Sequence, residues 1–413
     1  MFDRWYGDIL KDKINRQYAH ILFGARQTGK STLLKQILPD TTLFIDLANP
    51  YEYTRFLTNP NEFVQICEAM PDTNVKKPHF VCVDEAQSVP DIFNAVQYLY
   101  DKNKNKWRFI LCGSSARKLR SKGANLLPGR AFLHKLLPLL RIEYNQLSKH
   151  IKTDFPLSIN WLNNNKKGFP YMDIESRMVW GDLPGIVTAD EKDKNDILKA
   201  YTVIHLEEEI RREAVIKDWA AFLKFLKLAA NESNQILNYA AISRESGISQ
   251  PTVKAYYQLL EDMFIGAHIP AFTKSKRKNL LSTPRFIFFD LGVRNAAAGL
   301  SLNKSIIPVN PGYFFEHWVG NELWKRAQYS ENTEIHYLRT RDGFEIDYII
   351  EMEGRLIPVE VKWTEKPHIS DCRHIIKFLE ENPKKTDKGY IICRCPRPLQ
   401  LHKKIVALPW ETF

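Results

Sequence analysis

The sequence predicts an α/β protein of several domains, and three stretches predict it. Residues 20–38, HILFGARQTGKSTLLKQIL, read as a short apolar strand, a glycine-bearing loop and a helix with apolar positions at Leu33, Leu34 and Leu38. Residues 79–87, HFVCVDEAQ, read as a buried strand that ends in two carboxylates. Residues 355–363, RLIPVEVKW, alternate apolar and charged side chains and follow a second such strand, FEIDYII. A chain of 413 residues has room for two to four domains.

The loop fits G-x-x-x-x-G-K-[ST] from Gly24 to Ser31, in the strand–loop–helix setting that pattern requires. Gly24 and Gly29 let backbone N–H groups turn toward phosphate oxygens, Lys30 can reach the outer phosphates, and the Ser31 hydroxyl can ligate Mg²⁺ at the helix start. Gly24, Ala25, Arg26, Gln27, Thr28, Gly29, Lys30, Ser31 and Thr32 therefore form the expected cradle for ATP. The strand Phe80–Val83 delivers Asp84 to the magnesium and Glu85 to the attacking water. TTLFIDL (41–47) and WRFILCGSS (107–115) supply further strands, and the second leaves Ser114 or Ser115 at a tip beside the phosphates. Those serines can instead be helix N-caps ahead of ARKLR.

Lys and Arg outnumber Asp and Glu by 59 to 48, a net charge of +11 that suits an anionic partner such as nucleic acid. The six cysteines are scattered, and three lie in apolar strand-like runs, so neither a disulfide framework nor a zinc module is implied. No basic n-region with an apolar core opens the chain, and no apolar run approaches bilayer length. A cytoplasmic protein without membrane association is expected.

The loop, DEAQ (84–87), GSSARKL (113–119) and LPGRAFLHKLLPL (127–139) together resemble the AAA+-type ATPases of bacteria and archaea. They are most similar to the family in which that ATPase precedes a C-terminal domain of unknown function. The resemblance implies a sensor role for Ser114. It also implies an arginine at Arg130 that contacts γ-phosphate or a neighbouring subunit of a homo-oligomer; an ordinary salt-bridged arginine is the other reading.

In the middle, residues 145–170 turn polar and Asn/Lys-rich, as a solvated connection does. WGDLPGIV (180–187) matches a short Gly-Pro segment of the family, and the following helical run carries Arg211 and Arg212, which can act in trans or lie on a solvated face. NYAAISRESGISQPTVKAYYQLLEDM (238–263) has the pattern of a helix-turn-helix, with Gln250, Thr252, Lys254 and Tyr257 on the side that could face a DNA groove. TKSKRKN (273–279) follows where a wing would lie. Packing and DNA contact are both open for this module.

Toward the end, PGYFFEHWVGNELWKRA (311–327) reads as an amphipathic helix with Glu316 and Glu322 as candidate inward carboxylates. In the strand LIPVEVKW, Glu360 and Lys362 share one face, and the EMEGR turn brings Asp347 of the preceding strand next to them. Two carboxylates on adjacent strands can bind Mg²⁺, and a neighbouring lysine can activate water or stabilise charge on a phosphodiester. The arrangement resembles the PD-(D/E)xK nuclease fold, with Glu316, Asp347 and Glu360 matching its metal ligands and Lys362 its catalytic lysine. STPRFIFFDLGVRN (282–295) and FFEHWVGNEL also match the family's C-terminal domain.

The expected organisation is an AAA+-type P-loop ATPase domain over 1–150, a helical lid or linker over 151–235, a winged-helix-like domain over 236–282 and a restriction-endonuclease-like α/β domain over 283–413. The expected function is ATP hydrolysis acting on DNA, with metal-dependent cleavage by the last domain. The alternative is a regulatory ATPase or DNA-binding regulator whose nuclease-like domain is inert.

Overall fold

The structure is a computed structural model that describes residues 2–71, 78–114, 127–144, 172–206, 210–211, 216, 218–273 and 282–412. The chain forms two compact units, one of residues 3–137 with 262–264, the other of 1–2, 138–261 and 265–413.

The first unit is built on five parallel strands in the order β2-β3-β4-β1-β5: β1 (Ala19–Phe23), β2 (Leu43–Asp46), β3 (His79–Asp84), β4 (Trp107–Gly113) and β5 (Ala131–Lys135). β1 and β4 are buried throughout, as central parallel strands covered on both faces must be, with His20 and Arg108 as the polar exceptions in otherwise apolar runs. Among the described residues five helices accompany this sheet: α1 (Trp5–Lys13), α2 (Lys30–Ile37), α3 (Pro50–Thr58), α4 (Asn61–Glu68) and α5 (Asp91–Lys102). α5 buries Ile92, Phe93, Val96, Leu99 and Tyr100, the spacing of one helix face, in a core shared with Phe56, Phe63, Phe109 and Trp107. Because β4 lies between β1 and β3, the ends of β1, β4 and β3 bring Gly24, Ser114 and Asp84 to the same edge of the sheet.

The second unit opens with helices α6 (Ile174–Trp180), α7 (Pro184–Thr188) and α8 (Glu191–Ala200). Then come α9 (Trp219–Asn231), α10 (Tyr239–Ser246), α11 (Gln250–Asp262) and an antiparallel pair, β6 (Gly266–Ile269) and β7 (Arg285–Phe288). After α12 (Leu291–Ala298) and α13 (Pro311–Tyr329), a six-stranded mixed sheet runs in the order β12-β13-β11-β10-β9-β8. Its strands are β8 (Thr333–Arg339), β9 (Glu345–Met352), β10 (Arg355–Val361), β11 (Gly389–Cys393), β12 (Leu399–His402) and β13 (Ile405–Pro409), with α14 (Arg373–Glu381) between β10 and β11.

β9 and β10 are joined by a two-residue loop, Glu353-Gly354, with φ of 50° and 78°. Both residues are left-handed, the requirement of a tight hairpin turn that follows the twist of its strands, and this fixes the register. Tyr348 pairs with Val359, so Asp347 comes beside Glu360.

α13 departs from the amphipathic expectation. Asn321, Glu322, Lys325 and Arg326 are buried along with its apolar residues. Their charges are matched internally: Glu322 accepts from Arg326 and from the Arg141 N–H, and Lys325 donates to the Leu139 carbonyl and to Asp182. Buried charges persist only when paired in this way. All six cysteines are free and buried. Among the described residues no helix is long and apolar enough to cross a membrane.

Candidate functional site

Two clusters of functional side chains stand out, one in each unit. In the first unit the loop after β1 turns into α2 through Gln27 and Gly29, with φ of 61° and 90°. A Cβ on Gly24 would lie 2.2 Å from the Leu136 carbonyl oxygen, so only glycine lets the loop leave β1 beside β5. Lys30 is buried and donates through Nζ to the carbonyls of Gly24 (2.8 Å) and Ala25 (2.9 Å), holding its charge over the loop. Thr28 Oγ1 closes the same turn by donating to Ala25 O at 2.9 Å.

The Ser31 hydroxyl donates to Asp84 Oδ2, which joins the helix start to the acidic end of β3. Asp84 Oδ1 accepts from the Glu85 N–H at 2.9 Å. These oxygens are the hard donors a magnesium ion takes, so Ser31 and Asp84 fit that ion together. Glu85 sits in the left-handed region at φ 53° and accepts from Gln87 Nε2 at 2.5 Å; the same amide lies 3.2 Å from Ser114 Oγ. Gln87 thus ties the candidate water-polarising group to the candidate sensor. A Cβ on Gly113 would fall 2.3 Å from Gln87 Oε1, so the glycine at the end of β4 makes room for that bridge.

Two residues of this cluster escaped the sequence reading. Gln87 lies in the DEAQ run, but nothing in the run distinguishes a bridging amide from a solvated one. Arg4, buried ahead of α1, donates to Thr28 O at 2.7 Å and to Leu137 O at 2.5 Å, clamping the loop from a position no local pattern marks.

Arg130 requires correction as a residue acting on its own chain's nucleotide. It precedes β5 and its carbonyl accepts from Ala19 N at the start of β1, whereas the phosphate loop follows the end of β1. The length of β1, about 13 Å, separates them. Its guanidinium is engaged by Asp101 at 2.7 Å. Ser115 and Arg212 lie outside the described residues, and Arg211 stacks at 4.3 Å over Trp219.

In the second unit α13, β9 and β10 bring Glu316, Asp347, Glu360 and Lys362 into one electrostatic cluster. Asp347 Oδ2 accepts from the Val361 N–H at 2.8 Å, and Lys362 Nζ donates to Glu360 Oε1 at 2.8 Å. Glu360 Oε2 is buried and has no hydrogen-bond partner among the described residues. Burial and the Asp347 charge push both Glu316 and Glu360 well above the usual carboxylate range, against the pull of Arg285 on the first and Lys362 on the second. Asp347 is likewise raised by burial, although Lys362 and the Val361 N–H favour its charge. Burial works against the Lys362 ammonium, but Glu360 and Asp347 outweigh it and hold it charged. A charged ammonium offers itself to developing negative charge rather than as a base.

Glu316 has partners the sequence did not announce. Its Oε1 accepts from Arg285 Nη1 at 2.8 Å and from Asn234 Nδ2 at 3.3 Å, and Arg285 Nη2 also reaches Glu345 Oε1 at 3.0 Å. Tyr348 donates to Asn234 Oδ1 at 2.9 Å and so orients that amide. Glu322, the other carboxylate predicted to point inward, is a structural anchor in the ion pairs of α13. A group of three metal-ligand atoms lies elsewhere: those of Glu334, His336 and Glu351 are within 4.8 Å of one another on β8 and β9.

In the helix-turn-helix pattern, Tyr257 is corrected from groove-facing to core. It is fully buried and packs edge-on against Phe225, Tyr239 and Phe286. Gln250 and Lys254 are exposed.

The first unit's parallel sheet, phosphate loop and acidic strand end define a P-loop domain of the AAA type. Comparison with known proteins agrees. Residues 16–145 match a family model described as an AAA domain, residues 171–304 a domain of unknown function (DUF8612), and residues 311–413 a second domain of unknown function (DUF4143). Uncharacterized proteins of Mycobacterium tuberculosis and Mycobacterium bovis are each 23% identical over 365 residues, 87% of this chain and 74% of theirs. Among solved structures, a Drosophila origin recognition complex bound to DNA aligns at 14% identity and TM-score 0.26, covering 72% of this chain and 95% of that one. A Pyrococcus horikoshii signal transduction ATPase with a tetratricopeptide repeat sensor aligns at 11% identity and TM-score 0.25, covering 76% and 47%. Likeness this low adds nothing to the AAA assignment, which rests on the family match and the site.

Proposed function

We propose that the protein is an AAA+-type ATPase that acts on DNA through a winged helix and a metal-dependent nuclease-like C-terminal domain. The observation that carries the DNA-cleaving half is the convergence of Glu316, Asp347 and Glu360, with a buried Glu360 oxygen lacking a partner and Lys362 charged beside it. Carboxylates gathered at such cost favour a cation between them. The donor set fits Mg²⁺ or Mn²⁺, held by Asp347 and Glu360. When bound, that ion supplies Lewis-acid polarisation of a phosphodiester. Lys362 stabilises charge that develops on the phosphate, and the Val361 N–H fixes the Asp347 carboxylate.

For the nucleotide, the loop N–H groups and Lys30 bind phosphates while Ser31 and Asp84 would hold Mg²⁺. Glu85, oriented through Gln87, polarises water against the γ-phosphate, and Ser114 reports on it. Arg130 can serve only a neighbouring copy. The winged-helix reading is supported by α10 and α11 meeting at Gly247 (φ 78°) and by the β6–β7 ribbon that follows, with Gln250 and Lys254 toward solvent. The basic stretch expected as a wing lies largely outside the described residues.

The test is cleavage of single- and double-stranded DNA and RNA with Mg²⁺ or Mn²⁺, with and without ATP. It compares the unmodified chain, Lys30→Ala and the double variant Glu360→Ala/Lys362→Ala. Cutting lost in the double variant supports the reading, and dependence on Lys30 defines the coupling. ATP turnover with no cutting of any substrate refutes the nuclease half and favours a regulatory ATPase.

A further inference from the structure

The second unit places an arginine inside the candidate metal site, and that arginine limits what the site can hold. Arg285 lies on β7, a strand outside the six-stranded sheet, and its side chain is almost wholly buried. One of its nitrogens is 2.8 Å from Glu316 Oε1 and another 3.0 Å from Glu345 Oε1. It spans two carboxylates with separate N–H donors, and the ring of Tyr337 lies 4.8 Å from its guanidinium carbon. A guanidinium does not deprotonate in a protein, so this positive charge is permanent. Asp347, by contrast, accepts from the Val361 N–H, Glu360 pairs with Lys362 through Oε1, and Glu360 Oε2 has no partner among the described residues.

We infer that the site holds a single divalent cation on Asp347 and Glu360, and that Arg285 takes the place of a second cation at Glu316. This rests on the metal-site reading given under Proposed function. A two-ion site needs a carboxylate free to face each ion, with the ions about 4 Å apart. Arg285 and Asn234 already occupy Oε1 of Glu316, and the permanent guanidinium charge 2.8 Å from that oxygen repels a second dication that the other oxygen would otherwise take. Glu316 is then a positioning residue: it secures Arg285 and, through it, the electrostatic wall of the site. Tyr348 fixes the opposite side by donating to Asn234 and to the Glu316 carbonyl at 3.0 Å.

The experiment is a Mn²⁺ titration of the full chain without nucleotide, reading free Mn²⁺ by electron paramagnetic resonance. Asp84→Asn and Glu351→Gln are included throughout so that neither the P-loop nor the group of Glu334, His336 and Glu351 contributes an ion. One ion per chain is expected. Glu316→Gln should leave the count at one and the affinity within about threefold, whereas Glu360→Gln should weaken it by about tenfold or more. Arg285→Gln should admit a second ion. Two ions on the unmodified chain, a tenfold loss from Glu316→Gln, or a count still at one in a folded Arg285→Gln would each overturn the inference. Should circular dichroism show Arg285→Gln unfolded, the unmodified count and the Glu316→Gln affinity decide alone. Failure of the underlying reading looks different: no ion bound, or one ion unaffected by Glu360→Gln.

Discussion

Replacing Glu360 by glutamine should make the protein more stable while weakening metal binding at the second cluster. The glutamate is buried, faces the Asp347 charge and leaves one oxygen unpaired. Burial first, and then Asp347, push its pKa from 4.5 up to about 8. The sign follows from linkage: the unfolded chain releases this proton near the ordinary value, the folded chain holds it to higher pH, so stability is greatest below 4.5 and is lost as pH rises toward the folded value. Each pH unit in that window costs at most about 1.4 kcal/mol, which sets a ceiling of roughly 3.4 kcal/mol at pH 7. Sharing of protons among three neighbouring carboxylates lowers this to about 1–3 kcal/mol. Glutamine keeps the shape and can still accept from Lys362. The assay is denaturant unfolding of both proteins at pH 7 and pH 5 without divalent ions, then with excess Mn²⁺. Glu360→Gln should be the more stable at pH 7, by a margin that narrows at pH 5, and the unmodified protein should gain more from Mn²⁺ than the variant. Equal stability at both pH values, or a variant that is weaker throughout, would refute the argument, because the carboxylate would then be satisfied where it sits.

Lys30→Ala should abolish binding of a fluorescent ATP analogue, whereas Glu85→Gln should keep binding and lower phosphate release by about 10²–10⁴-fold. Gly24→Ala should also lose nucleotide binding and lower the melting temperature, since its methyl group meets the Leu136 carbonyl. Burial pushes the pKa values of His20 and His134 down to about 4 and about 3. Their contribution to stability is present above 6.5 and lost as pH falls, by about 2 kcal/mol each at pH 5. Denaturant midpoints at pH 7 and pH 5 should show this loss, reduced in the double variant His20→Gln/His134→Gln. Lys254→Ala should weaken DNA binding at all sequences and reduce the salt slope by about one; an unchanged slope would remove α11 from the interface.

The AAA-type unit was legible because its elements are local and strongly patterned. A buried apolar strand, a loop with two indispensable glycines and a strand ending in carboxylates each announce themselves within ten residues. Around the second cluster, Asp347 and Glu360 were readable for the same reason: alternation along a strand and a two-residue turn set their register. What stayed hidden depends on contacts between distant segments. Arg285, Asn234 and Glu316 are separated by tens of residues, and no periodicity marks an arginine that will be buried. Tyr257 was misread through a related gap, and the choice among the readings of Arg130 stayed open for the same reason. A motif says which residue type stands at a position, but the strand end it occupies and the face it presents are settled by packing. The helix α13 failed as an amphipath because its polar side meets Asp182, Leu139 and Arg141 instead of water.

The ties that cross from the middle of the chain to its end bear on how such a protein can be inherited. Ser233 contacts His317, Asn234 contacts Glu316 and Tyr348, and Arg294 donates to the Ala230 carbonyl. A gene fusion that moved residues 283–413 alone would strand β7 without β6 and leave the candidate site missing its amide. Recombination should therefore tend to carry residues 172–413 as one cassette, and relatives that borrow only the terminal sheet should have had to invent a new partner for Glu316.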